Sequence, residues 1–177
     1  PKTAAESLEN DPDQLIADLL SRLHTGYAVE ILEEFEAARR ESIAAATPFG
    51  QGQLWLKGHH FDEGTVGRLM ERPPAVFRPA TTIQEVIVAL REIVKKQMVT
   101  YIFVTDQEGK LLGVVTFREL LFAQDAQPLA EIMIAEPFFL KPEATLIDAM
   151  QEVVTRHYPV YPVCDAERRL LGLVKGQ

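Results

Sequence analysis

An internal duplication limits what this chain can fold into more than any other feature of it. Met70 corresponds to Met133, Pro79 to Pro142, Thr82 to Thr145 and Ile83 to Leu146, all 63 residues apart. Farther on, Asp106 corresponds to Asp165 and Gly113 to Gly172, now 59 apart. The first copy therefore holds four more residues between its helix and its next strand, around Lys95 to Val99. Self-similarity at a fixed period marks a repeated supersecondary unit.

Each copy has one order of elements. A short extended segment (Ala75 to Arg78; Phe138 to Leu140) meets a proline, and a threonine (Thr82; Thr145) then caps a helix. Ile83, Val86, Ile87, Leu90, Ile93 and Val94 fall at helical spacing in the first copy, and Leu146, Ala149, Met150, Val153 and Val154 in the second. Both stripes must face a sheet. Two strands follow, Thr100 to Thr105 and Lys110 to Thr116, then Val160 to Val163 and Leu170 to Val174, joined by D-Q-E-G and D-A-E-R-R turns. A helix from Arg118 to about Ala123 closes the first copy, and its counterpart in the second is cut off. Such a sheet has helices on one face only, so two copies can bury their bare faces against each other. An apolar edge should remain for a second chain to cover.

Ahead of the repeats the chain reads as helical. Residues 1 to 11 are polar and expected to fray, and Pro12 and Asp13 signal a helix from about 13 to 23. Further helices are expected from Tyr27 to about Phe35 and from Arg39 to Ala46, with Gly26 and the Pro48, Gly50, Gly52 cluster as punctuation. These helices are too short to stand alone and must pack on each other or on the rest. Trp55, in L-W-L-K, is expected to anchor the last of the N-terminal helices to the repeat layer. The fold class is α+β: a helical segment over 1–58, a first copy over 59–124 and a truncated second copy over 125–177.

Of 177 residues, 18 are Lys or Arg and 26 Asp or Glu, a net charge of −8. Such a surface repels phosphate backbones, so nucleic acid is not an expected partner. The basic pairs Arg39, Arg40 and Arg168, Arg169 read as solvated faces. A single cysteine, Cys164, cannot form an intrachain disulfide and suits a reducing compartment; it reads as a small buried or edge residue with no base to activate it. His24, His59, His60 and His157 show no metal-ligand spacing. No G-x-S-x-G, G-K-[ST] or G-x-G-x-x-G occurs, so catalysis is not expected. No apolar run approaches ~20 residues. Pro1 stands where an initiating methionine would, and the chain ends just after a strand-like run, which reads as a piece of something longer.

The duplication, with G-V-V-T-F-R-E from Gly113 to Glu119, resembles the tandem CBS module. E-G-T-V-G-R-L-M from Glu63, Y-I-F-V-T-D-Q-E-G-K-L-L-G-V-V from Tyr101, and L-A-E-I-M from Leu129 are similar to the cytosolic part of the MgtE family of magnesium transporters. V-E-I-L-E-E-F, Val29 to Phe35, looks like the end of that family's N-terminal superhelical domain. The resemblance implies a homodimer formed through CBS modules, a transmembrane domain on the same full-length chain, magnesium sensing on the cytoplasmic side of the cell membrane, and in some members ATP in the cleft between modules.

Glu30 and Glu34 lie four apart on one helical face with Glu33 beside them, and Asp62 and Glu63 precede the Gly64 to Gly67 turn. Mg²⁺ takes about six oxygens and keeps several waters, so scattered carboxylates across a domain interface suit it. Acidic surfaces that repel at low divalent concentration and are bridged at high concentration would shift a two-state arrangement. A solvated acidic helix face accounts for any one of these residues as well. The family also places acidic ligands before Tyr158-Pro159-Val160 and beyond Gly172, where this chain has His157 and Lys175. Either the ligands differ or the sensor uses another set. Co²⁺ and Mn²⁺ suit such a site as well.

For adenine nucleotide (ATP or AMP), the family's G-x-x-T-x-x-D places a hydroxyl for phosphate and a carboxylate for ribose. Thr116 matches the hydroxyl and Glu119 stands at the acid, one methylene longer; the second copy offers Lys175 at the hydroxyl position. Helix capping explains Thr116 equally. Three readings therefore stand: a Mg²⁺-responsive gating region, a nucleotide-answering CBS module, and a dimerisation scaffold.

Overall fold

The computed structural model describes residues 1–23, 25–47, 51–59 and 61–176. His24 and His60, and Pro48 and Gly50 of the expected punctuation, lie outside the described residues.

The N-terminal segment is a bundle of α1 (Lys2–Leu8), α2 (Asp13–Ser21), α3 (Thr25–Glu33), α4 (Ala37–Ala45) and α5 (Gln51–His59). Residues expected to fray thus form α1. Its Ala5 is small enough to sit buried in the bundle core with Ile16, Leu20, Val29 and Leu32. Arg39 pins the α1–α2 link: its guanidinium donates to the Glu9 and Asp11 carbonyls, the latter at 2.7 Å, and pairs with Asp13 at 3.3 Å. Arg39 is therefore a structural clamp, where the sequence suggested a solvated face. These partners lie in the α1–α2 link and at the start of α2, about 30 residues away, which local reading cannot see.

Gly52 belongs inside α5 rather than between helices. A Cβ there would lie 2.1 Å from the Ala44 carbonyl oxygen, so only glycine lets α4 and α5 cross so closely. On α5, Trp55 is 0% exposed and packs into the bundle core, whereas Leu54 turns into the core of the second repeat. The joint expected of Trp55 is thus made by its neighbour, one residue round the helix.

The repeats follow as α6 (Val66–Leu69), β1 (Val76–Phe77), α7 (Ile83–Ile93), β2 (Ile102–Thr105), β3 (Leu111–Val115) and α8 (Phe117–Phe122), then α9 (Leu129–Ile132), β4 (Ile134–Ala135), α10 (Leu146–Val153), β5 (Val160–Cys164) and β6 (Leu170–Lys175). The α+β expectation holds, with a tandem β-α-β-β-α pair behind a helical segment. Thr82 caps α7 in a capping box: Glu85 N donates to Thr82 Oγ1 at 3.3 Å, and Thr82 N donates back to Glu85 Oε2 at 2.8 Å. Thr145 caps α10 by accepting from Asp148 N at 3.2 Å.

One sheet has the order β1-β2-β3-β4, with β1 parallel to β2 (Val76 opposite Phe103) and the other pairs antiparallel. The other contains β5 and β6 (Val160 opposite Lys175), extended by single bridges from Leu140 to Val163 and from Glu71 to Leu173. Leu140 and Glu71 stand 63 residues from Phe77 and Ile134, so both sheets share one plan. Phe103, Leu111 and Val114 meet Val160, Cys164 and Leu173 in a core between the two sheets. Bare sheet faces are buried against each other, as the duplication required.

The leading helices α6 and α9 fell outside the sequence reading, and each crosses to the opposite copy. Val66 N donates to Ala144 O at 2.9 Å and Gly67 N to Pro142 O at 2.8 Å; reciprocally, Leu129 N donates to Thr81 O at 2.9 Å and Ala130 N to Pro79 O at 3.0 Å. Leu129 is buried in the first copy's core, and Val66 and Met70 in the second's. The hairpins are also tied together, through Leu111 N to Arg168 O and Leu170 N to Gly109 O, each 2.9 Å.

Candidate functional site

A cleft of about 520 Å³ is lined by the residues that lead into β2 and β5. Pro74, Met98, Tyr101, Pro159, Val160 and Leu173 give it apolar walls, and Glu71, Arg72 and Lys175 give it charge. Lys175 Nζ lies 3.4 Å from Glu71 Oε2 across it. Met98 belongs to the four residues by which the first copy exceeds the second, and its side chain is 87% exposed. Tyr101 has its phenol raised above the ordinary range, by burial first and then by Tyr158, Tyr161 and Glu119.

Thr116 and Glu119 are joined to one another. Thr116 N donates to Glu119 Oε2 at 2.8 Å, and the Thr116 hydroxyl donates to the same oxygen. That side-chain hydrogen bond is the main cause holding the Glu119 carboxyl below its usual range. The pair caps α8, so a nucleotide contact through the Thr116 proton would require that bond to be exchanged.

The expected cation residues lie apart. Glu30, on α3, is half-buried; Glu34, just beyond α3, is exposed at a hollow also lined by Glu6, Glu9, Glu36 and Arg39. Asp62 and Glu63 are exposed on the α5–α6 link, where the Asp62 carbonyl accepts from Thr65 Oγ1 at 2.7 Å. Among the described residues, no three His, Cys, Asp or Glu side chains converge as a group able to hold a metal ion. Of the α3 carboxylates it is Glu33 that meets the repeats: its Oε1 lies 2.6 Å from Nη1 of Arg68, a buried residue of α6. The E-E pair in V-E-I-L-E-E-F was visible, but its basic partner, 35 residues away, was not.

A second groove, of about 940 Å³, separates the bundle from the repeats and shares Glu71, Arg72, Pro74, Gln97 and Lys175 with the cleft. Arg22 comes from the end of α2, and among the described residues no carboxylate comes from the bundle's side of this groove. Burial pulls the Arg72 guanidinium below its usual range. Cys164 is 0% exposed, and burial pushes its thiol up to about 12. No thiolate forms near neutral pH, which suits a packing role. Among the described residues, no helix is long and apolar enough to cross a membrane.

Comparison with known proteins bears on these features. The CBS domain model matches residues 66–126 and 129–175. Magnesium transporter MgtE of Thermus thermophilus is 30% identical over 115 residues, covering 64% of this chain and 26% of the transporter. The chain thus spans about a quarter of that relative's length. Two solved structures share its fold: the cytosolic domain of the Mg²⁺ channel MgtE in complex with ATP (TM-score 0.77, 24% identity, 99% of this chain and 72% of that one), and the soluble part of a magnesium transporter (TM-score 0.77, 21% identity, 97% and 67%). The chain belongs to the CBS-domain family, and its paired modules are homologous to those of the MgtE magnesium transporters.

Proposed function

We propose that this chain is the Mg²⁺-responsive regulatory region of a magnesium or related divalent-cation transporter, working at the cytoplasmic face of the cell membrane as a homodimer joined to a transmembrane domain of the same full-length chain. One observation carries the reading: bundle and module pair together share the fold of a magnesium channel's cytosolic region, and the chain is 30% identical over 115 residues to an MgtE transporter. The proposed cation ligands are Glu30, Glu34, Asp62 and Glu63. Mg²⁺ retains several waters and needs only one or two protein carboxylates at a time, so exposed acids on two facing surfaces suit it. Bridging them would favour a closed arrangement over an open one by differential affinity, and that closure would gate the pore. Dimerisation finds support in α8 and α10, where Leu121, Phe122 and Ile147 are 84%, 82% and 70% exposed. Apolar side chains exposed in that number are characteristic of an interface.

Scattering radius and protease protection, measured with and without millimolar Mg²⁺, test the proposal. Compaction is expected with Mg²⁺, absent at the same ionic strength of Na⁺ and lost on combining Glu30→Gln, Glu34→Gln, Asp62→Asn and Glu63→Gln. An unchanged radius and unchanged protection would overturn it.

A second reading is favoured by the apolar cleft beside Tyr101: a site for adenine nucleotide, ATP or AMP, for which Thr116 and Glu119 are the proposed contacts although neither lines the cleft itself. The MgtE cytosolic domain that shares this fold was solved with ATP.

A further inference from the structure

We propose that Arg68 sets the Mg²⁺ concentration at which the regulatory region closes, by acting as a tethered cation that holds the bundle on the modules. The inference rests on the Mg²⁺-responsive reading and names the residue that tunes it. Among the described residues, Arg68 is the one charged residue that is buried, with 8% of its surface exposed. A buried guanidinium needs an acid close by, and Arg68 takes that acid from the bundle: Glu33 Oε1 lies 2.6 Å from its Nη1. The same nitrogen donates to the Phe61 carbonyl at 3.5 Å, which ties the guanidinium to the α5–α6 link as well.

Position gives this pair its leverage. Glu33 is the last residue of α3, and Thr25, the first, lines the open groove between bundle and modules. The helix spans about 12 Å between them. It is thus fastened to the modules at one end and faces the groove at the other, so closing the groove would turn the bundle about the clasp. A divalent ion draws two acidic surfaces together by standing between their carboxylates. Arg68 does this for Glu33 from a fixed place in the chain, and therefore at every Mg²⁺ concentration. Glu30 and Glu34 flank Glu33 in sequence and stay the proposed ligands of the free ion. The apparent affinity of a ligand that favours one arrangement falls with the fraction of molecules already in that arrangement. A molecule without the clasp would therefore need more Mg²⁺ to close.

Titration of the whole chain with Mg²⁺ at constant ionic strength, read by protease protection and scattering radius, provides the test. Glu33→Gln changes a half-buried side chain to one of the same shape and should raise the Mg²⁺ midpoint about tenfold. The Glu33→Gln, Arg68→Gln double variant should raise it by no more than that, because a pair already broken has no second half to lose. Leu129→Ala weakens a core that the clasp does not touch and should leave the midpoint within about twofold of the unaltered chain. The inference is overturned, and the Mg²⁺-responsive reading stands, if Glu33→Gln leaves the midpoint where it was, if the double variant multiplies the shift, or if Leu129→Ala moves it as far. An unaltered chain with no Mg²⁺-dependent step overturns that reading and takes this inference with it.

Discussion

The two modules are built to one plan, and the places where they diverge are the places where the molecule meets something outside the pair. In the first copy, α7 buries Ile83, Val86 and Leu90; in the second, the shorter α10 buries only Ala149 and leaves Ile147, Met150 and Val154 largely exposed. Arg68 on α6 clasps Glu33 of the bundle, while its equivalent on α9, Glu131, faces solvent and accepts from Gln127 at 3.3 Å. Thr116 caps a helix with Glu119, while Lys175 at the matching position crosses the cleft to Glu71. The two modules thus share a core plan but differ in single side chains: Arg68 of α6 pairs with the bundle where Glu131 does not, and α10 buries less of its apolar stripe than α7.

The strongest way to break this comparison is to attack the exchanged helices. Leu129→Ala removes a fully buried side chain from the first copy's core, although Leu129 belongs to the second copy by sequence. A loss of about 2–5 kcal/mol is expected in urea unfolding. Hydrogen exchange should speed up in β2 and β3 more than in β5 and β6; the reverse order would contradict the exchange. Arg68→Ala should cost about 2 kcal/mol by leaving Glu33 without its charged partner, and should raise protease access between bundle and modules. Glu131→Ala should change neither quantity.

The smallest effect sharpens the comparison at the hairpins. Gly109 (φ +84°) and Arg168 (φ +64°) occupy equivalent left-handed positions, both beside the bonds that tie the hairpins together. Only glycine takes that conformation without strain, so Arg168→Gly should raise stability by about 1 kcal/mol, less the stacking of its guanidinium 5.7 Å from the Phe139 ring. A thermal melt reads the change, and a lowered midpoint would mean that the stacking outweighs the strain.

What could be read from the sequence was local. Thr82 and Thr145 announced their helices through their own side chains, and Phe103 and Val163 sat in strands marked by β-branched and aromatic runs between turn residues. Asp106 and Asp165 closed their turns as expected, each Oδ1 accepting backbone N–H groups two and four residues on. What escaped depended on distant partners. The four-residue α6 and α9 have too few turns to show a period, and both are held by the other copy. Gly52 looked like punctuation because the carbonyl it must clear belongs to another helix. At the site, Glu30, Glu34, Asp62 and Glu63 were visible as acids, but their separation was not, and neither was the pairing of Glu33 with Arg68.

The crossing of α6 and α9 also orders events while the chain is being made. Val66 and Met70 are synthesised early, yet the strand that receives Glu71 ends more than a hundred residues later. Glu71 cannot make its bridge until Leu173 has left the ribosome, and the first module's core itself waits for Leu129. Each half therefore completes its core only with residues of the other, Leu129 for the first and Val66 and Met70 for the second.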